Sequence, residues 1–271
     1  MISNRYFAKS VIALAVVLGV GSVILFSVAP LGSVAIALPW SEPACLGWDA
    51  ALSLLFFLQH SGMIRPSFRA RLSAHVPQPW HAAIYSVASG VALSAVILLW
   101  QPTATSLLRP SEAARWVCRA CAFGALGFFA WGIRALRRFD PLGVAPIRAM
   151  LNGTPHRPLP FVIAGPYRRV RHPLYFSVLV LIWTNLDLTT DRLLFNVLWT
   201  AWIVVGTRLE ERDLVHEFGN AYRVYQRVVP MLLPRLGRNP LLEAERPTSG
   251  APGLCRELDA ARPDRPLQMG S

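Results

Sequence analysis

Six apolar runs constrain this 271-residue chain more than any other feature; they lie at about 10–29, 44–63, 80–100, 115–136, 173–188 and 192–208. A helix needs roughly 20 such residues to cross the hydrocarbon of a bilayer. Backbone amides and carbonyls find no water there, so each run has to close its hydrogen bonds on itself as a helix. The runs predict an all-α fold, a polytopic integral membrane helical bundle of about six transmembrane helices. Composition agrees: 54% of residues are hydrophobic and 15% charged, where soluble domains carry about 25% charged residues. The last two runs are short and joined by the polar corner "DLTTDR", which predicts a tight hairpin, tilted or not fully crossing.

The arginines orient these runs. Formal net charge is +12, and Lys9 is the sole lysine. Arg5 and Lys9 precede the first run, whereas the connection 30–43 has no basic residue. Arg65, Arg69 and Arg71 follow the second run, and the connection 134–171 and the segment after Arg208 are again arginine-rich. This alternation predicts six spans with both termini in the cytosol. Basic residues in short clusters between apolar runs suit membrane lipid as a partner and argue against nucleic acid. A cleavable signal peptide ending at "VAIA" is the alternative for the first run, but the apolar core is too long, so an uncleaved anchor is expected.

Composition divides the chain into a membrane region at 1–136, a polar cytosolic loop at 137–172, a hairpin with its cap at 173–236 and a tail at 237–271. The tail is rich in Pro, Arg and Gly without apolar periodicity, which predicts disorder. Cys45, Cys118, Cys121 and Cys255 are too few and too scattered for a disulfide framework. The CxxC at Cys118 and Cys121 lies inside an apolar run, and both thiols are read as small buried hydrophobes. No cluster has metal-ligand spacing, so no metal is expected.

Chemistry concentrates at the mouth of the fifth run, in "GPYRRVRHPLYFSVLVLIW" from Gly165 to Trp183. Pro173 suits a first helical position, which puts Arg171 and His172 at a helix N-terminus. Unpaired amides and the helix dipole favour an anion there, and arginine strengthens the preference. Tyr167 and Tyr175 flank the place and offer flat surfaces for stacking. The competing reading is positive-inside anchoring with snorkelling to lipid headgroups. Downstream, "TRLEERDLVHEFGNAYRVYQRVVP" sets Glu210 and Glu211 at the C-terminal end of the sixth run. Acids there oppose the helix dipole unless a cation compensates them. A short hairpin brings them toward Arg171 and His172, giving a cleft for a zwitterionic ligand with an additional positive charge. The plain alternative is a surface pair of Glu211 with Arg208 at i, i+3.

The order "GPYRRVRHPLYFS", hydrophobic hairpin, "RLEERDLVHEFGNAYRVYQRVVPMLLP" resembles the membrane methyltransferases related to isoprenylcysteine carboxyl methyltransferase and the phospholipid methyltransferases. "LQHSGMIRPSF", "YSVASGVALSAVILLWQP" and "FDPLGVAPIRAMLNGTPHRPLPFVIAGPY" resemble its nurim-like branch, which includes bacterial methanethiol S-methyltransferase. The resemblance covers roughly residues 5–236. It implies S-adenosyl-L-methionine as cofactor, with Arg171 and His172 at its carboxylate end in the catalytic centre. Gly165, Tyr167 and Tyr175 would line it, Glu210 and Glu211 would take amino or ribose groups, and Tyr222 and Tyr225 would close a cytosolic lid. The implied acceptor is a small apolar thiol, with methanethiol converted to dimethyl sulfide. A non-catalytic nurim-like protein and methylation of a lipid or prenylcysteine are the alternatives.

Polar residues at the end of the second run, His60, Ser61 and Arg65, are either interfacial anchors or acceptor-orienting groups. Asp140 is read as a loop cap or salt bridge with a tentative role toward the acceptor, and His156 and His216 as surface residues. Trp80, Trp100, Trp183 and Trp199 fit an interfacial belt or helix packing.

Overall fold

The computed structural model describes residues 2–28, 38–136, 140–155, 161, 163–185 and 187–234. The tail, Cys255 and His156 lie outside them. The described chain forms α1 (Ile2–Val28), α2 (Glu42–Ile64), α3 (Pro66–Ser73), α4 (His81–Leu99), β1 (Ser106–Leu108), α5 (Glu112–Ala135), α6 (Val144–Leu151), α7 (Pro173–Trp183), β2 (Leu188–Thr189), α8 (Thr190–Phe218) and α9 (Asn220–Val228). It is an all-α bundle whose one sheet among the described residues is the short antiparallel pair β1–β2. Among the described residues four helices are long and apolar enough to cross a membrane: those containing Arg5–Ser27, Gln78–Leu99, Glu112–Ala135 and Thr190–Phe218. α2 has spanning length at 23 residues but is interrupted by Asp49, Gln59 and His60, and is not among the four.

The final hairpin differs from the expected pair of short runs. α7 stops after 11 residues at Trp183, where Thr184 turns its hydroxyl onto Leu181 O. α8 instead runs for 29 residues, through and beyond Glu210 and Glu211. Leu209 and the leucine, valine and phenylalanine of "DLVHEF" give the charged extension enough apolar positions to stay helical. Glu210 and Glu211 are therefore two turns inside a helix rather than at its C-terminus, and the dipole argument does not apply to them.

The chain folds as two compact units. The first contains α1–α4, β1, the start of α5, α6, β2 and α8 as far as Ile203. Here α1 packs closely along α4, because a Cβ at Gly90 would fall 2.5 Å from Leu18 O. Small residues allow such approach where no water drives helices together. Ala8, Ala15, Ala83 and Ile147 form the core of α1, α4 and α6. Asp191 fastens the start of α8, accepting from Trp100 Nε1 at 3.0 Å and from the amide and hydroxyl of Thr103 at 3.1 and 2.8 Å.

The second unit contains α5 from Arg119, α7, α8 from Val204, and α9. Phe128 meets Phe176 edge-on at 5.7 Å, joining α5 to α7. α9 buries Tyr222, Val224 and Tyr225 with Val229, against Phe161, Leu214, Val215 and Phe218. Cys121 is exposed and Cys118 half-buried, not buried as expected, because this face of α5 points outward with Trp116, Val117 and Phe123. Such exposed apolar residues are what a lipid-facing helix presents.

Candidate functional site

The site is assembled wholly in the second unit. Gly165 opens a 3-10 turn, Gly165–Arg168, at φ +54°. A side chain here would be strained, and its Cβ would meet Ala135 Cβ at 2.8 Å and Trp131 Nε1 at 3.1 Å. The turn delivers the fully buried Val170 and then Arg171 and His172 to the start of α7. Their amides are not open to an anion, contrary to the sequence reading. Arg171 N donates to Pro230 O at 2.9 Å and His172 N to Met231 O at 3.1 Å. The extended residues after α9 thus close the backbone of the helix mouth.

The side chains remain as the chemistry. Arg171 Nε donates to Glu211 Oε1 at 2.5 Å, and Nη1 donates to Gln226 O at 2.8 Å and to Val229 O. His172 Nε2 lies 3.2 Å from the same Oε1, Tyr222 Oη donates to it at 3.5 Å, and Gln226 Nε2 donates to Oε2 at 3.0 Å. The Arg171 and Glu211 side chains are 9% and 11% exposed. Glu211 pairs across the hairpin with Arg171, and the surface pair with Arg208 is not formed. Further hydrogen bonds to both carboxylate oxygens help to offset the desolvation of this buried pair.

Glu210 is in a different position. Its side chain is 37% exposed and its ion-pair contact is His172 Nδ1 at 3.9 Å. Burial, then the charge of Glu210, raises the Tyr167 hydroxyl well above its ordinary range, so it stays protonated. The Tyr175 ring is 5.7 Å from that of His172. Arg171 Nη2 makes no hydrogen bond among the described residues.

Tyr222 and Tyr225 are 2% and 3% exposed, and they are core residues of α9 rather than a mobile cover. Tyr225 Oη donates to Tyr167 O at 2.5 Å, bracing the 3-10 turn. Burial raises both hydroxyls, with Glu211 the next contribution at Tyr222 and Tyr222 the next at Tyr225. Gln226 was missed by sequence reasoning. Its signal was the spacing "YRVYQ", which places it one turn after Tyr222 on the same face.

His60, Arg65 and Asp140 belong to the first unit. Tyr85 Oη is 3.1 and 3.0 Å from the two ring nitrogens of His60, and Ser89 Oγ is 3.3 Å from Nδ1. Arg65 Nε donates to Ser61 O at 2.9 Å, folding back on the end of α2. Asp140 Oδ2 accepts from Ala145 N at 2.5 Å and so caps α6. No group of three or more His, Cys, Asp or Glu among the described residues is arranged to hold a metal ion.

Comparison with known proteins matches residues 50–229 to the NnrU protein family. The chain is 35% identical over 207 residues to methanethiol S-methyltransferase of Pseudomonas deceptionensis, covering 74% of this chain and 77% of that one. It is 31% identical to the methanethiol S-methyltransferase of Crocosphaera subtropica over 70% of this chain and 75% of the relative. Nurim of Xenopus laevis is 25% identical over 67% and 69%. No solved structure matches.

Proposed function

The chain belongs to the NnrU protein family, and on that premise we propose that it is a multi-pass membrane S-adenosyl-L-methionine-dependent S-methyltransferase converting methanethiol to dimethyl sulfide. Its relatives are named methanethiol S-methyltransferases at 31–36% identity, and a methyl donor is what such an activity requires. The observation that carries the reading is the charge balance of the site. Arg171 and Glu211 pair at 2.5 Å, which leaves Glu210, 37% exposed, with the longer 3.9 Å contact to His172 as its one described ion pair. A carboxylate so loosely held suits a ligand of net +1, the charge of a sulfonium carrying one ammonium and one carboxylate.

The residues fit the cofactor as follows. Arg171 Nη2 and His172 would hold its carboxylate, Glu210 would take its amino group or ribose hydroxyls, and Tyr167 and Tyr175 would line it, with Gly165 shaping the turn that carries Tyr167. Glu211, Gln226, Tyr222 and Tyr225 keep Arg171 and His172 in place. When bound, S-adenosylmethionine would supply an electrophilic methyl for transfer to the acceptor thiol. The protein's task is then to orient reactants and exclude water. The Asp140 carboxylate already caps α6.

The test offers membranes containing the chain labelled cofactor with methanethiol, longer thiols, a prenylcysteine and phospholipid. Labelled dimethyl sulfide is expected. Label in lipid or prenylcysteine would move the acceptor, and no binding of cofactor by purified protein would favour a non-catalytic role like that open to a nurim relative. S-Adenosylhomocysteine lacks the sulfonium charge, so wild type should bind it more weakly, and Glu210→Gln should narrow that difference.

A further inference from the structure

Outside this site the first unit buries polar groups that the proposed chemistry does not use. Asp49, Ser53 and Asn196 are 0%, 0% and 1% exposed. Asp49 Oδ1 accepts from Gln101 N at 2.9 Å. Its Oδ2, and both Oδ1 and Nδ2 of Asn196, have no hydrogen-bond partner among the described residues. No ion pair among the described residues involves Asp49.

Neighbouring contacts bring these groups to one level. Trp199 Nε1 donates to Ser53 Oγ at 3.4 Å, and its ring stacks on Phe56 at 5.2 Å. Further along, Trp202 stacks on Phe57 at 4.9 Å and donates to Ser61 Oγ at 3.2 Å. Rising numbers on α2 thus meet rising numbers on α8, so the helices run in the same direction. One turn back along each come Asp49, four residues before Ser53, and Asn196, three before Trp199. The loop after α4 touches both places: Trp100 meets the Phe195 ring at 5.2 Å, and Gln101 N bonds Asp49. Phe26 also packs on Phe195 and Trp199, the aromatic neighbours of Asn196 along α8.

We propose that Asp49 and Asn196 form an internal hydration site, holding one or two water molecules between α2 and α8. Water is the small guest that satisfies the whole set. It donates to Asp49 Oδ2 and Asn196 Oδ1, and it accepts from Asn196 Nδ2. A monovalent cation would suit the two oxygens but leave the amide nitrogen pointing its hydrogens at a positive charge. Buried polar atoms in natural proteins are nearly all bonded to protein or ordered water. The bound water ties α2 to the first turns of α8 beside the Asp191 anchor.

Radiolytic hydroxyl labelling of the intact protein in lipid nanodiscs tests this without any substitution, because radicals form where water is bound. Phe195 and Trp199, 2% and 6% exposed, should be labelled within a fewfold of the rate at exposed Trp40, in the connection before α2. Labelling at both should fall at least tenfold in the Asp49→Leu/Asn196→Leu double variant. The single changes should each lower Tm by stranding the other polar group, and the double variant should recover most of the loss. Unlabelled buried rings in the wild type, strictly additive Tm losses, or a Tm that falls when choline replaces sodium would each overturn the proposal, the last by assigning the place to a cation.

Discussion

Glu211 Oε1 is shared by Arg171, His172 and Tyr222, whereas Glu210, one residue earlier, keeps a side chain 37% exposed and 3.9 Å from His172. The same substitution at the two positions should therefore act on different properties. Glu210→Gln should leave the thermal midpoint within about a degree. It should weaken S-adenosylmethionine about tenfold, a value below that of a fully buried charge-assisted bond because solvent screens this carboxylate. Arg171→Ala should destabilise by about 3–5 kcal/mol, since it strands the Glu211 carboxylate in a buried place. Calorimetry for affinity and thermal unfolding in detergent for stability separate the outcomes. If Glu210→Gln lowers the midpoint and leaves affinity unchanged, the assignment of Glu210 to the ligand is wrong. Arginine, histidine and the two acids were legible as partners from their types and their places at the hairpin. Which acid would be neutralised was not, because adjacent helical residues point about 100° apart and only the packing of α9 selects one.

At the scale of elements, the sequence located every helix of the membrane-length set, because apolar run length reports directly on what lipid permits. It misjudged the ends of α7 and α8, where Thr184, the β1–β2 pair and the continuation through "RLEERDLVHEF" decide. It also left the amides of Arg171 and His172 open, since their bonds to Pro230 and Met231 join segments about 60 residues apart and no local pattern encodes such a pairing. The 3-10 turn before α7 makes the corresponding prediction. Gly165→Ala adds a Cβ at φ +54°, 2.8 Å from Ala135 Cβ. The expected cost is about 1–3 kcal/mol of local strain, read as a lower thermal midpoint with weaker cofactor binding. Binding should weaken because the turn carries Tyr167, whose carbonyl is held by Tyr225 Oη. Wild-type stability in this variant would mean that α5 yields and that the close contact with Trp131 and Ala135 is dispensable.

For the whole molecule, the exposed apolar surface of α1 and α5 and the family it belongs to make this a multi-pass membrane protein. Orientation rests on arginine placement. Arg65 precedes α3 and Arg69 and Arg71 lie within it, in a stretch that has no Asp or Glu between Asp49 and Glu112. Arginine in short connections beside membrane spans is enriched on the cytosolic side, so this connection is expected there. Arg168, Arg169 and the arginines after Glu211 are expected on the same side by the same rule, which would put a cofactor made in the cytosol within reach of the site. Reporter fusions check this directly. A cytosol-active reporter placed after Leu236 and another in the 64–79 connection should both be active, and one in the 101–111 connection should be active only as an exported reporter. An exported reporter that is active after Leu236 would reverse the hairpin and leave Glu210 facing a compartment without cofactor, which no substitution at the site could repair.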